Sequence, residues 1–177
     1  MRKPEGRSRR RRLALLVAVA AVVLVVDQVT KSLAVSDLSH HPVELLGPLA
    51  LRLAYNTGAA FSIGSSLPGL VVVVALALVG GIVWFARHVP TTPAAVAVGL
   101  ILGGALGNLA DRLFGSHHGA VVDFIYTRYW PTFNVADAAI TCGCVLVAVT
   151  VLRQAGRRGT GGRGRSADRG EERGDAA

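Results

Sequence analysis

Two aspartates frame the stretch GAVVDFIYTRYWPTFNVADAAI, residues 119–140: Asp123 among β-branched and aromatic neighbours, and Asp137 three residues after Asn134. A carboxylate near hydrocarbon is costly unless paired or solvated, so an intramembrane acid is first a hypothesis about function. Asp137 has a structural explanation: Asn134 can cap a helix beginning there, and the helix dipole favours a negative charge in its first turn. Asp123 has none, because VVDFI reads as a strand and offers the acid no local partner. If the chain brings the two carboxylates to one site, they share a proton and their titrations split. Such a pair can activate a water and then protonate a leaving amine.

Other polar residues fall where they could support that chemistry. Asp27 and Lys31 stand four apart in the acid-before-base order of a helical ion pair. Asn108, Asp111 and Arg112 follow at helical spacing in GGALGNLADRL, where Arg112 either binds a carboxylate or headgroup or neutralises Asp111. Gly103, Gly104 and Gly107, with Ala105, allow a neighbouring helix to approach closely. Competing schemes find less: there is no HExxH or GxSxG, and His117–His118 lack a third ligand in a Gly/Ser loop, so no metal is expected. A Ser/Lys dyad would draw on Lys31 with Ser32, Ser62, Ser65 or Ser66, and no spacing singles one out. Cys142 and Cys144 read as small apolar packing residues.

These residues must be held by membrane helices. Of 177 residues, 51% are hydrophobic and 17% charged, which points away from an ordinary soluble domain. Four stretches, 13–35, 68–86, 93–114 and 135–152, are long and apolar enough to cross a bilayer core, which takes about 20 residues. Asp27 lies about 21 Å of helix beyond Leu13, in the outer part of the hydrocarbon. The first span follows a basic segment like that of a signal peptide, but three further spans follow it and no convincing small-x-small cleavage site precedes Asp27, so retention is expected.

The net charge of +8 is concentrated in two tails. Residues 1–12 carry seven Arg/Lys and one Glu, and residues 153–177 carry seven Arg and four acids. Both are expected to be disordered and cytoplasmic, flanking a 13–152 transmembrane domain. No basic folded face with aromatic platforms exists, so nucleic acid is not an expected partner. Basic flanks before span 1, at 87–88 and after span 4 place both termini inside, which puts the 36–67 and 115–134 connections, with the polar residues, outside.

The sequence resembles the bacterial lipoprotein signal peptidase (signal peptidase II) family. DQVTK (27–31), NTGAAFS (56–62), GGALGNLADRL (103–113), VVDFI (121–125) and FNVADAAI (133–140) occur in the family's order, across about residues 13–152. The resemblance implies an all-α polytopic membrane protein of four transmembrane helices, with a small extracytoplasmic β-rich cradle built from residues 36–67. It implies an aspartic endopeptidase of the inner membrane that needs no cofactor and is blocked by globomycin-type cyclic peptides. Its substrate would be a diacylglyceryl-modified prolipoprotein, cut before the lipidated cysteine, with membrane lipids as surroundings and a monomer as the working unit. Asp123 and Asp137 fall on the family's catalytic dyad. Asp27, Lys31, Asn56, Gly58, Asn108, Asp111, Arg112 and Asn134 fall on supporting and substrate-contacting positions. The Asn134 cap and the dipole of span 4 favour an ionised Asp137, leaving the proton on Asp123. The alternative is a small transporter using Asp27, Lys31 and Asp111 as a proton relay, but the chain shows no internal repeat and gathers these groups at one face.

Overall fold

The computed structural model describes residues 5–39, 41–58, 68–86 and 88–171, with 154–171 as backbone alone. Residues 59–67, which include Ser62, Ser65, Ser66 and the end of the NTGAAFS motif, lie outside the described residues, as does Arg87. Eight elements follow in order: α1 (Glu5–Leu38), β1 (Val43–Glu44), β2 (Leu49–Asn56), α2 (Pro68–Ala86), α3 (Thr92–Phe114), β3 (Val121–Thr127), β4 (Trp130–Phe133) and α4 (Val135–Glu171). Four helices are long and apolar enough to cross a membrane, over Gly6–Leu38, Gly69–Ala86, Thr92–Phe114 and Val135–Arg153. The helical backbone extends beyond the apolar spans at both ends, into the basic flanks that composition alone would leave disordered. Once a helix is nucleated each further residue gains a hydrogen bond, and neither α1 nor α4 contains a proline to stop it.

Helix α3 is the centre of the bundle, packing against α1 on one side and α4 on the other, with α2 also against it. Its start is set by Thr91, whose hydroxyl accepts from the Ala94 amide, and by Pro93 in the first turn. Small residues allow the close approach. A Cβ on Gly99 would stand 2.8 Å from the Leu16 carbonyl oxygen, and one on Gly103 would stand 2.7 Å from that of Ala20, both on α1. On the opposite side, Gly104 lies against the Ala136 carbonyl and Gly143 of α4 faces the Ala97 carbonyl. Apolar packing of Leu16, Ala20, Ala86, Val89, Val98 and Leu102 fills the end of the bundle farther from the sheet.

The four strands form one antiparallel sheet in the order β1-β2-β3-β4. Its central pair, β2 with β3, runs from Leu49↔Thr127 to Asn56↔Val121, with an irregularity between Leu51 and Ala54. The sheet sits on the end of α1 through Ala34, Leu38 and Phe124. Val121 through Phe124 are all buried, so this part of β3, which packs against α1 and α3, loses the usual alternation.

One expectation is corrected. Cys142 and Cys144 are exposed rather than packed, because α4 turns Gly143, between them, toward α3. In a uniformly apolar helix, composition does not distinguish the packed face from the outward one.

Gly104→Ala and Gly80→Ala separate the two roles of glycine. The first forces a methyl against the Ala136 backbone and should cost about 1–3 kcal/mol. The second has open space around it and should be neutral, or stabilising by up to about 1 kcal/mol. Thermal unfolding of the two proteins in detergent checks the difference.

Candidate active site

The N-terminus of α4 is closed by a reciprocal cap. Asn134 Oδ1 accepts from the Asp137 amide at 2.9 Å, and Asp137 Oδ2 accepts from the Asn134 amide at 3.3 Å. The Asn134 side chain is fully buried, and its Nδ2 faces three acceptors: Asp123 Oδ1 at 2.7 Å, Asn108 Oδ1 at 3.1 Å and the Val122 carbonyl at 3.3 Å. Asn108 in turn donates from Nδ2 to Asp137 Oδ1 at 2.8 Å. The two aspartates are therefore joined by a pair of asparagine side chains, one on α3 and one at the start of α4. Asp123 reaches this point because β3 pairs with β2, which also delivers Asn56, whose Nδ2 donates to Asp123 Oδ2 at 3.2 Å.

Asp123 and Asp137 line one cavity of about 290 Å³, together with Asn56, Gly58, Asn108 and Arg112 on its polar side. Val121, Trp130, Phe133 and Ile140 supply an apolar side. Burial pushes the Asp123 carboxyl up to about 6, and the charge of Asp137 adds to the rise; hydrogen bonds from Asn56 and Asn134 and the charge of Lys31 restrain it. One carboxyl that keeps its proton up to about pH 6, sharing a cavity with a second, is the arrangement needed for paired general acid and base chemistry.

Arg112 does not neutralise Asp111, its neighbour in the chain. Its Nη2 donates to the Gly58 carbonyl at 2.8 Å and its Nη1 to the Asn108 carbonyl at 3.1 Å, while its buried Nε has no hydrogen-bond partner. Successive residues of a helix point about 100° apart, so Arg112 faces the cavity and Asp111 turns toward α1. Gly58 is itself held by Asn56, whose Oδ1 accepts from the Gly58 amide at 3.0 Å.

Asp27, Lys31 and Asp111 do not line this cavity. They form a buried cluster behind it, with the Lys31 Nζ 2.8 Å from Asp27 Oδ2, 2.8 Å from Asp111 Oδ2 and 3.0 Å from Asn108 Oδ1. The i,i+4 pair expected between Asp27 and Lys31 is thus present, and Asp111 joins it from α3. With three acceptors around it and 3% exposure, the ammonium is a buried counter-ion, which leaves no free amine for a Ser/Lys dyad. Ser32 Oγ is also engaged, donating to the Gln28 carbonyl of its own helix.

Sequence reasoning missed Gln28. Its Nε2 donates to Asp111 Oδ1 at 2.8 Å and also approaches Asp27 Oδ2 and the Gly107 carbonyl. Its place inside the polar island DQVTK was the available signal. Gly107 is required there, because a Cβ would lie 2.5 Å from Asp27 Oδ2. His117 is not a free loop residue: its ring stacks on Tyr55 with centroids 4.4 Å apart.

Comparison with known proteins agrees with this architecture. Residues 19–153 match the family described as signal peptidase (SPase) II. The chain is 45% identical over 154 residues to a lipoprotein signal peptidase of Rhodococcus jostii, covering 84% of this chain and 77% of the relative. It is 43% identical over 155 residues to that of Streptomyces coelicolor, covering 85% and 76% respectively. It also superposes on a solved bacterial membrane enzyme with a TM-score of 0.72 at 29% identity, over 79% of this chain and 88% of the other.

Asn134→Ala removes the α4 cap and a buried donor shared by Asp123 and Asn108. The expected loss is about 2 kcal/mol or more of stability, read as a lowered midpoint of thermal unfolding.

Proposed function

The chain belongs to the signal peptidase II family, and from that premise we propose that Asp123 and Asp137 are the catalytic pair of an aspartic endopeptidase acting on diacylglyceryl-modified prolipoproteins. The observation that carries the assignment is geometric: both carboxylates line one cavity and are linked through Asn134 and Asn108, while burial and the charge of Asp137 raise Asp123 to about 6.

In this reading Asp137 is the ionised base, held by donors from Asn108 and the Asn134 backbone, and Asp123 carries the proton. Asp137 removes a proton from a water as its oxygen attacks the scissile carbonyl carbon. Asp123 gives its proton to the carbonyl oxygen as the tetrahedral centre forms. Collapse of that centre breaks the C–N bond, the amine leaves with the proton held by Asp137, and the hydroxyl proton returns to Asp123. The Arg112 guanidinium and the Asn56 amide on the cavity wall offer donors to peptide carbonyls or to the lipid ester and headgroup region. The apolar side of the cavity, formed by Val121, Trp130, Phe133 and Ile140, receives apolar side chains of the substrate.

The same reading orients the protein. The dyad, Asn108 and Arg112 lie at the C-terminal ends of α1 and α3 and the N-terminal end of α4, while the Arg residues before α1's apolar stretch and at Arg153 mark the opposite end. Positive flanks accumulate on the cytoplasmic side, so the site and the sheet belong at the outer surface of the cytoplasmic membrane, where the scissile bond of a lipidated substrate arrives. The apolar outer faces of α2 and α4 leave the acyl chains in lipid beside the enzyme.

A proton-relay transporter is not favoured, because a family of peptidases accounts for the whole span of residues 19–153. Cleavage of a diacylglyceryl-modified prolipoprotein in detergent, followed by mass spectrometry, tests the assignment. Asp123→Asn and Asp137→Asn should each lower turnover by at least about a thousandfold while remaining folded. Processing at the wild-type rate by either variant would refute the pair. The free enzyme needs the proton on Asp123, so kcat/KM should fall as pH rises through about 6. A profile that keeps rising above neutrality would contradict the assignment.

A further inference from the structure

The buried ionic cluster does not line the cavity of the dyad and is almost closed to solvent, yet it bonds to the backbone next to each catalytic aspartate. Asp27 Oδ1 accepts from the Ala136 amide at 2.9 Å, one residue before Asp137. Asp111 Oδ2 accepts from the Val122 amide at 3.1 Å, one residue before Asp123. Both amides belong to the second residue of an element, α4 for Ala136 and β3 for Val122. Ala136 is in the first turn of α4, where amides have no intrahelical acceptor. Val122 lies beyond the β3–β4 pairing, which spans only Ile125 and Thr127. Lys31 and Gln28 each bridge the two carboxylates, at 2.8 Å and 2.8 Å for Lys31 and at 3.3 Å and 2.8 Å for Gln28. Exposure is 0% at Asp27, 3% at Lys31 and 7% at Asp111, so water does not loosen the cluster.

Resting on the dyad reading above, we propose that Asp27, Lys31 and Asp111 form a positioning strut: two carboxylates, tied together by one ammonium, each hold the backbone amide preceding one catalytic aspartate and so fix the separation of the pair. The strut joins four elements, with α1 and α3 supplying the ions and β3 and α4 the amides. Its residues are positioning residues, since none lines the cavity. Lys31 also reaches the dyad through Asn108 Oδ1, so it sets the orientation of the amide that donates to Asp137.

The informative variant is Lys31→Met combined with Asp111→Asn. It keeps the cluster at the same net charge of minus one, carried by Asp27, while removing the ammonium that ties the two sides and leaving only Gln28 to bridge them. A misplacement of about 1 Å in reacting groups costs on the order of a hundredfold in rate, so kcat should fall about a hundredfold with KM within about twofold of wild type. Val98→Ala, a cavity in the distant bundle core, is the control for general destabilisation and should keep kcat. Amide hydrogen exchange of nitrogen-15-labelled protein gives a second readout: the Val122 and Ala136 amides should exchange slowly in the wild type and speed up together in the double variant. Should that variant fail to fold, Lys31→Gln, a neutral side chain able to bridge two of the three acceptors, should show the same kcat loss in smaller degree. Wild-type kcat in a folded strut variant, a loss confined to KM, an equal kcat loss in Val98→Ala, or fast exchange at either amide in the wild type would overturn the strut. Asp123→Asn, measured alongside, separates the two ideas: if it cleaves, the dyad and the strut fall together; if it is inactive while the strut variant turns over normally, only the strut falls.

Discussion

A lysine buried among apolar helices imposes the constraint from which the rest of this structure follows. Lys31 has almost no contact with solvent, and an unpaired charge in such a place would cost several kcal/mol. It is stable only because Asp27 of its own helix and Asp111 of α3 arrive with good geometry, and because Asn108 fills its third donor position. Removing one partner from such a cluster typically costs about 3–5 kcal/mol, so α1 and α3 are fixed in both register and rotation. Glycines at 99, 103 and 107 keep the helices close enough for these bonds, with Gly107 leaving room for the Asp27 carboxylate itself. A membrane bundle gains little from hydrophobic exclusion between helices, so close packing and buried polar bonds must specify its arrangement.

The same economy runs through the dyad. Asn134 is at once the cap of α4, a donor to Asp123 and a link to Asn108. Asn108 accepts from Lys31 and donates to Asp137. The acid of the pair is raised by burial and by its partner's charge, whereas the partner sits at a helix N-terminus supplied with donors. Two identical side chains are thereby given different environments, which is how one residue type can serve as both acid and base.

Much of this was legible from local spacing. The Asp27–Lys31 pair and the Asn134–Asp137 cap are separated by four and three residues, distances at which helical geometry alone dictates contact. The strand character of VVDFI and the four spans were equally local. What the chain did not display were bonds across large separations: Asp111 with Lys31, Gln28 with Asp111, and the carboxylates of Asp27 and Asp111 with the amides of Ala136 and Val122. The outward cysteines escaped for a different reason, because α4 is apolar all round near them and its packed side is chosen by glycine rather than by hydrophobicity. Of the two roles the sequence left open for Arg112, an ion pair with Asp111 is not the one formed, because adjacency in sequence is not adjacency on a helix surface.

Infrared spectroscopy of the detergent-solubilised protein across a pH titration addresses the proton of the dyad most directly. The account predicts a protonated carboxyl stretch that disappears as pH rises through about 6, is absent from Asp123→Asn, and persists in Asp137→Asn with its midpoint moved to lower pH once the neighbouring charge is gone. A band that survives unchanged in Asp123→Asn would place the proton elsewhere and contradict the division of roles on which the mechanism depends.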